Sequence, residues 1–125
     1  MGVSVETISG VQVVVISDQP GWDASFNKEV SDLVNDAIDE GMAVVLDLEK
    51  VRNLNSCVLG SIVMWRSHAI AKGKNLVLCR LQEQAKKILE TMKLNLIFEV
   101  FPDQPTAIQR VKEGGRLDPG RKTRY

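Results

Sequence analysis

The stretch AVVLDLEKVRNLNSCVLGSIVMWRSHAIAKGKNLVLCRL, residues 43–81, decides the fold, because it places one helix between two apolar strands. The nearly continuous apolar run Met42–Leu48 is typical of a strand that is buried on both faces of a parallel sheet. Leu76–Leu81 is a second run of this kind. Between them, a helix that ends near Gly73 is predicted by the helical spacing of Leu59, Ile62, Val63, Arg66, Ala69 and Ile70.

The chain before this stretch predicts a hairpin and a first helix. Val3–Ile8 alternates apolar and polar residues, and a Ser-Gly turn signal leads from it to a second apolar run, Val11–Ile16. Asp18–Gly21 interrupts the chain, and Asp23 can then cap a helix. The apolar stripe of this helix consists of Phe26, Val30, Leu33, Val34, Ala37 and Ile38.

A third helix, a short strand and a last helix follow the central stretch. The apolar spacing within Leu81–Met92 predicts the helix, Ile97–Phe101 predicts the strand, and Pro105 suits the first turn of the last helix. Strands that alternate with helices after an opening hairpin predict an α/β fold, with a mixed β-sheet and about four α-helices. We expect one domain over residues 1–113 and a flexible polar tail over residues 114–125.

The composition limits the classes of function. Among 125 residues, 16 basic and 16 acidic side chains cancel, so the charge predicts neither a nucleic-acid partner nor insertion into a membrane. The apolar runs are far shorter than a membrane span, and Met1–Gly10 lacks the basic segment of a secretory signal. Cys57 and Cys79 form no CxxC pair, and we expect reduced thiols in a cytoplasmic protein.

The titratable residues argue against an enzyme. Cys57 and His68 would lie on one helix with backbones roughly 16 Å apart along its axis, too far for a nucleophile and its base. One histidine and two distant cysteines supply no zinc site, and no glycine-rich phosphate loop is present, so no metal or cofactor is expected. Asp47 and Glu49 could bind a cation at a strand end, but without a third ligand a solvated strand end is the expected role.

The polar residues Asn55 and Ser56 stand where the central strand gives way to the helix. Either side chain can accept a hydrogen bond from a first-turn amide, which is the role of an N-cap. The free amides and the helix dipole would also stabilise a phosphate on Ser56. From the residues alone, the cap is the favoured interpretation.

Residues 43–81, together with AKKILETMKLNLIFEVFPDQPTAI at 85–108, resemble the STAS domain, the fold of the bacterial anti-sigma factor antagonists. In that family the helix opens with Asp-Ser-Ser/Thr-Gly-Leu-Gly, and a partner kinase that is also the anti-sigma factor phosphorylates the first serine. Ser56 matches that serine, while Asn55 replaces the Asp and Val58 replaces the first Gly. The remaining matches are Cys57, Leu59 and Gly60.

The resemblance implies a regulatory module that binds an anti-sigma factor/serine kinase through Asn55–Gly60 and is switched by phosphorylation of Ser56. Val58 would present a branched side chain to the partner where the family's glycine leaves room. The alternative is a non-phosphorylated STAS scaffold, or a subunit of a sensory complex or lipid transporter, with contacts through Val58, Leu59 and Trp65. A hydrolase with Ser56 as its nucleophile is not supported, because the sequence offers no general acid or base for it.

The same patterns predict the core, because apolar residues on the strands must face the apolar stripes of the helices. The predicted core residues are Val45, Leu46, Leu59, Ile62, Val63, Leu76, Leu78, Ile88 and Leu89.

Overall fold

The computed structural model describes residues 2–17, 22–52 and 54–114. The strands are β1 (Val3–Ile8), β2 (Val11–Ser17), β3 (Val44–Lys50), β4 (Leu76–Cys79) and β5 (Val100–Phe101). The helices are α1 (Ala24–Asp39), α2 (Ser56–Ala71), α3 (Glu83–Thr91) and α4 (Gln104–Gly114), with a 3₁₀ turn at Leu94–Leu96. The predicted chain break at Asp18–Gly21 lies outside the described residues. Of the tail predicted over residues 114–125, Gly114 is instead the last residue of α4, and residues 115–125 lie outside the described residues.

The described strands form one five-stranded mixed sheet in the order β1-β2-β3-β4-β5. β1 and β2 are antiparallel, whereas β2, β3, β4 and β5 are parallel to one another. The hairpin between β1 and β2 closes through Ser9 and Gly10, whose φ angles of 53° and 80° are those of a type I′ turn. The predicted α/β fold, with its opening hairpin, mixed sheet and four helices, is confirmed.

The two faces of the sheet are covered unequally. Helices α1, α2 and α3 pack on one face, where the strands contribute Leu46, Leu48, Leu76 and Leu78. Helix α4 covers the other face, against Val45, Val77 and Cys79. Adjacent residues of β3 and β4 therefore point into different layers, which explains why both strands are continuously apolar.

Seven of the nine predicted core residues are buried, and two are not: Val63 and Ile88 are only partly buried against the core. The strands after α2 are also shorter than predicted. Lys93 adopts a left-handed φ of 60°, and the chain then forms a 3₁₀ turn, so β5 begins only at Val100. Within the described residues, no helix combines the length and the hydrophobicity needed to cross a membrane.

Candidate functional site

The start of α2 is built around the side chain of Asn55. This residue has an extended backbone (φ −97°, ψ 174°), and its Oδ1 accepts a hydrogen bond from the Val58 amide at 2.9 Å. Its carbonyl accepts from the Leu59 amide at 3.0 Å, the first bond of the helix. Asn55 is therefore the N-cap, and Ser56 is the first helical residue.

The candidate site residues divide between the surface and the core. Asn55, Ser56, Cys57 and Gly60 are exposed, whereas Val58 and Leu59 are buried. The expectation that the Val58 side chain faces a partner is wrong, because it is only 1% exposed and packs in the core between the sheet and α2. A branched apolar residue at position 58 thus strengthens the packing of the first turn and leaves the surface open.

Two buried side chains hold the segment that joins β3 to the first turn of α2. Val51 and Leu54 both lie in the core, and the Val51 amide donates to the Leu48 carbonyl at 3.1 Å. They stand on either side of the exposed Arg52. Because the link is held by its apolar residues, the polar residues after it are presented at a fixed place on the surface.

An exposed stripe runs from this turn along α2. Ser56, Gly60 and Met64 are spaced by four residues, so they share one face of the helix, and all three are exposed. Met64 is 71% exposed, a large apolar side chain in solvent. A Cβ added to Gly60 would meet no atom within 4 Å, so the stripe is flat at this point. We call these three residues the α2 stripe.

Side chains of α1 border the α2 stripe. Asn27 donates from Nδ2 to the Ser61 hydroxyl at 3.0 Å, and its Oδ1 accepts from the Trp22 indole at 2.8 Å. The Trp22 ring meets Phe26 edge to face, with centroids 5.3 Å apart. Sequence patterns missed this chain of contacts, since residues 34 positions apart meet only when α1 packs on α2. Trp22 is only partly buried, and tryptophan is enriched among the residues that dominate binding energy at interfaces.

Asp47 is not at a solvated strand end, as the sequence suggested, but is 0% exposed. Its Oδ2 accepts from Arg80 Nε at 2.9 Å and from Gln104 Nε2 at 2.5 Å, while its Oδ1 accepts from the Glu49 amide at 3.1 Å. Burial alone would raise the pKa of Asp47, but these hydrogen bonds and the Arg80 charge outweigh it and lower the pKa. Partners from β3, the end of β4 and α4 therefore replace solvent around this carboxylate.

The remaining titratable candidates, His68 and the two cysteines, do not come together in one site. His68 Nε2 lies 2.8 Å from Asp39 Oδ1 on α1, a contact that leaves it away from the exposed Cys57. Cys79 is buried, and burial raises the pKa of its thiol to about 12, with a further contribution from the Asp47 charge. In the part of the chain that the structure describes, no three His, Cys, Asp or Glu side chains come together as metal ligands.

Comparison with known families identifies this architecture. Residues 3–107 match the STAS domain family. The chain belongs to the STAS domain family. The resemblance seen in the sequence is thus confirmed.

Solved structures of other STAS proteins share the fold. An anti-sigma factor antagonist from Mycobacterium paratuberculosis is 20% identical, with a TM-score of 0.75 over 88% of this chain and 92% of that chain. The phosphorylated form of SpoIIAA, a Bacillus cell fate determinant, is 16% identical, with a TM-score of 0.68 over 87% and 98%. A chain of the stressosome, a signal integration and transduction hub, is 17% identical, with a TM-score of 0.72 over 91% and 100%.

The search of curated proteins found no match. At these identities the solved structures establish a common backbone fold.

Proposed function

We propose that this STAS domain is a regulatory protein that binds an anti-sigma factor/serine kinase through Asn55–Gly60, with phosphorylation of Ser56 as the switch. The observation that carries the proposal is the division of roles at the helix start. Asn55 caps the helix, so the exposed side-chain hydroxyl of Ser56 is not needed for the cap and has no hydrogen-bond partner among the described residues. Its hydroxyl can therefore accept a phosphate at no cost to the cap.

A phosphate on Ser56 would act on the interface and not on the fold. The first-turn amides and the helix dipole favour the added charge of nearly −2 within the domain. Across an interface, the same charge would be desolvated against a surface that fits a neutral hydroxyl. Phosphorylation would then release the partner while the domain stays folded.

The α2 stripe supplies the rest of the proposed docking surface. Exposed Met64 offers apolar area, and Gly60 allows close approach of a partner backbone. The balanced charge and the two free cysteines agree with the proposed location in a bacterial cytoplasm. No catalytic role is proposed for any residue of the chain.

Phosphorylation is tested by incubating the protein with ATP and a candidate STAS-binding serine kinase, followed by site mapping with mass spectrometry. We expect phosphate on Ser56 and its loss in Ser56→Ala. Ser67→Ala, which removes another exposed serine of α2, is the matched control and should leave the phosphate stoichiometry unchanged. Phosphate on both Ser56 and Ser67 in equal amounts would contradict a dedicated site.

Docking is tested by measuring the affinity of the kinase for the unphosphorylated wild type and for three unphosphorylated variants at fixed salt. Ser56→Asp should weaken binding at least about tenfold, or roughly 1.4 kcal/mol. Gln84→Glu adds one charge at an exposed first-turn position of α3 and should change little. Gly60→Gln should weaken binding with no loss of thermal stability, because the added side chain points into open space. Equal affinity of wild type and all three variants would eliminate the switch.

A constitutive scaffold is the second candidate, favoured by the exposed Met64 in the middle of α2. The side chains of Val58, Leu59 and Trp65 are buried, so such a contact would depend on the α2 stripe. In this case Met64→Lys should prevent assembly, whereas Ser56→Asp should not. The pair of variants therefore separates the scaffold from the switch.

A further inference from the structure

β1 is an edge strand, because β2 is its only neighbour among the described strands. It is paired with β2 along its whole length in unbroken register, from Val3 opposite Ile16 to Ile8 opposite Val11. Its other side therefore presents a straight row of backbone groups. A row of this kind can pair with a further strand.

The hydrogen bonds to β2 show which groups face outward. The Ser17 amide donates to the Gly2 carbonyl at 2.6 Å, so Gly2 and Ser17 form a hydrogen-bonded pair. Bonded and non-bonded pairs alternate along an antiparallel ladder, so the even-numbered residues of β1 bond to β2. The odd-numbered residues direct their amides and carbonyls away from the sheet. They are Val3, Val5 and Thr7.

β1 has little of the usual protection of an edge, since Glu6 is its single charged residue. Its sequence, VSVETI, contains no proline, lysine or arginine, and its register with β2 has no bulge. Its middle residues Ser4–Thr7 are exposed, and Val5 is an exposed apolar side chain at 37%. The cluster of α1, α2 and α3 includes Val3 at its margin but not Val5. An uncovered valine at the centre of a free edge suits a second apolar strand.

We propose that β1 pairs with β1 of a second copy of this chain, antiparallel and about a two-fold axis that passes between the two Val5 residues. The two sheets would then join into one of ten strands. Val5 meets Val5 of the partner subunit, and Val3 meets Thr7 of the partner subunit, so only outward-facing groups are paired. Each of these pairs exchanges two hydrogen bonds, about six in all.

The length of the strand and the charge of Glu6 select this register over its neighbours. A shift by one residue would place each odd-numbered residue of one copy opposite an even-numbered residue of the other. The backbone groups of the even-numbered residues already bond to β2, so hydrogen bonds between the two copies could not form. The two next compatible registers centre on Ser4 and on Glu6. The first would leave Thr7 without a partner residue in β1 and so lose two of the six hydrogen bonds. The second would place two carboxylates directly opposite each other. In the proposed register, Glu6 lies opposite Ser4 of the partner subunit, whose hydroxyl can donate to it. The edge is therefore self-complementary in hydrogen bonding, apolar contact and charge.

The pairing should be weak and reversible. A five-residue strand contact buries less than the roughly 800 Å² per partner of a standard interface, and we expect a dissociation constant on the order of 100 μM. The contact uses the edge opposite to β5 and does not involve the α2 stripe. It is independent of the proposed kinase switch, so Ser56→Asp should dimerise like the wild type.

Amide hydrogen exchange on the full chain tests the pairing directly. From 10 μM to 1 mM protein, the amides of Val3, Val5 and Thr7 should gain protection, because their hydrogen-bond partners come from the second copy. The amides of Ser4, Glu6 and Ile8 bond to β2 and should be protected at both concentrations. The absence of this alternating gain, together with a monomer mass at 1 mM in sedimentation, would overturn the proposal.

Two lysine variants test the register by sedimentation equilibrium. Val5→Lys places two like charges at the axis and should weaken dimerisation at least tenfold. Ser4→Lys adds the same charge one residue away, but opposite Glu6 of the partner subunit, and should dimerise as well as the wild type or better. Equal weakening by both lysines would overturn the register. Thermal melts of both variants verify that each remains folded.

Discussion

At the scale of single residues, the start of α2 separates two functions that the sequence places side by side. Asn55 holds the first turn by accepting one hydrogen bond from the Val58 amide, and the neighbouring Ser56, where we propose phosphorylation, is exposed. In the sequence either residue could have been the cap. The extended backbone at Asn55 decides between them, since an N-cap lies just outside the helical conformation.

Substitution at these two positions should therefore have unequal effects. Asn55→Ala should lower the free energy of unfolding by about 1 kcal/mol, the usual value of an N-cap, because the Val58 amide loses its acceptor. Ser56→Ala should change it by less than about 0.5 kcal/mol, as expected for an exposed side chain. Urea denaturation of the two variants measures both values. A larger loss in Ser56→Ala than in Asn55→Ala would reverse the assignment of the cap.

The two thiols should also differ in reactivity. Cys57 is exposed, whereas Cys79 is buried and burial raises the pKa of its thiol to about 12, so the reactive thiolate is scarce at neutral pH. An aromatic disulfide reagent should titrate one thiol per native chain and two in denaturant. Cys57→Ser should abolish the native reaction. Two reactive thiols in the native protein would mean that the sheet opens around β4.

At the scale of elements, buried carboxylates attach α4 to the sheet. Gln104, at the start of α4, donates to Asp47 of β3. One and a half turns later, Arg110 donates from Nε and Nη2 to Glu99 at 3.1 and 2.9 Å, just before β5. The apolar contacts of α4 come only from Ala107, Ile108 and Val111. Polar contacts at two levels thus fix the position of a helix with a small apolar face.

Loss of the Asp47 charge should be costly. Asp47→Asn should lower the free energy of unfolding at pH 7 by about 2 kcal/mol, the value of hydrogen bonds to a charged group. Glu49→Gln is the matched control, because Glu49 is largely exposed and lies 3.3 Å from the same Arg80. It should cost no more than about 0.5 kcal/mol. If urea denaturation gave the same loss of unfolding free energy for Asp47→Asn and Glu49→Gln, the burial of Asp47 would contribute nothing to stability.

The effect of Asp47 should depend on pH in one direction. Its pKa is lower in the folded than in the unfolded chain, so the ionised form stabilises the native state at neutral pH. This contribution is lost as the pH falls from the ordinary value of 3.8 towards the folded pKa. The stability difference between wild type and Asp47→Asn should be constant above about pH 5 and shrink below it. If the stability difference between wild type and Asp47→Asn instead grew on acidification, the pKa of Asp47 would be raised, and not lowered, by folding.

At the scale of the whole molecule, the unequal covering of the sheet decides which surfaces are available. Three helices cover one face and α4 the other, and β1 remains at a free edge. The α2 stripe belongs to the helical face, and the proposed β1 contact belongs to the edge. The two proposed contacts therefore use separate surfaces of the domain.

Removal of residues 115–125 should leave the domain intact. The segment is polar and contains no large aliphatic side chain other than Leu117, so it offers little area to bury. We expect the free energy of unfolding to change by less than about 0.5 kcal/mol, measured by thermal and urea denaturation of the shortened chain. A clear fall in the melting temperature would mean that the tail packs on the domain.

The sequence by itself determined the elements of this protein and their order. Hairpin, strands and helices follow from apolar periodicity and from turn and cap residues, whose effects reach only three or four positions along the chain. Asp23 caps its helix as local rules predict, and those rules limit the cap of α2 to Asn55 or Ser56. The fold is shared with STAS structures at 16–20% identity, because the pattern of burial and not the residue identities specifies it.

Only the tertiary structure decided where the polar groups lie. Asp47 is buried because Arg80 and Gln104, 33 and 57 positions away, surround it once β3, β4 and α4 pack together. The inward direction of Val58 likewise depends on how α2 rests on the sheet. Burial of a polar or apolar side chain is a property of all the elements that meet around it, so no local pattern of the sequence can report it.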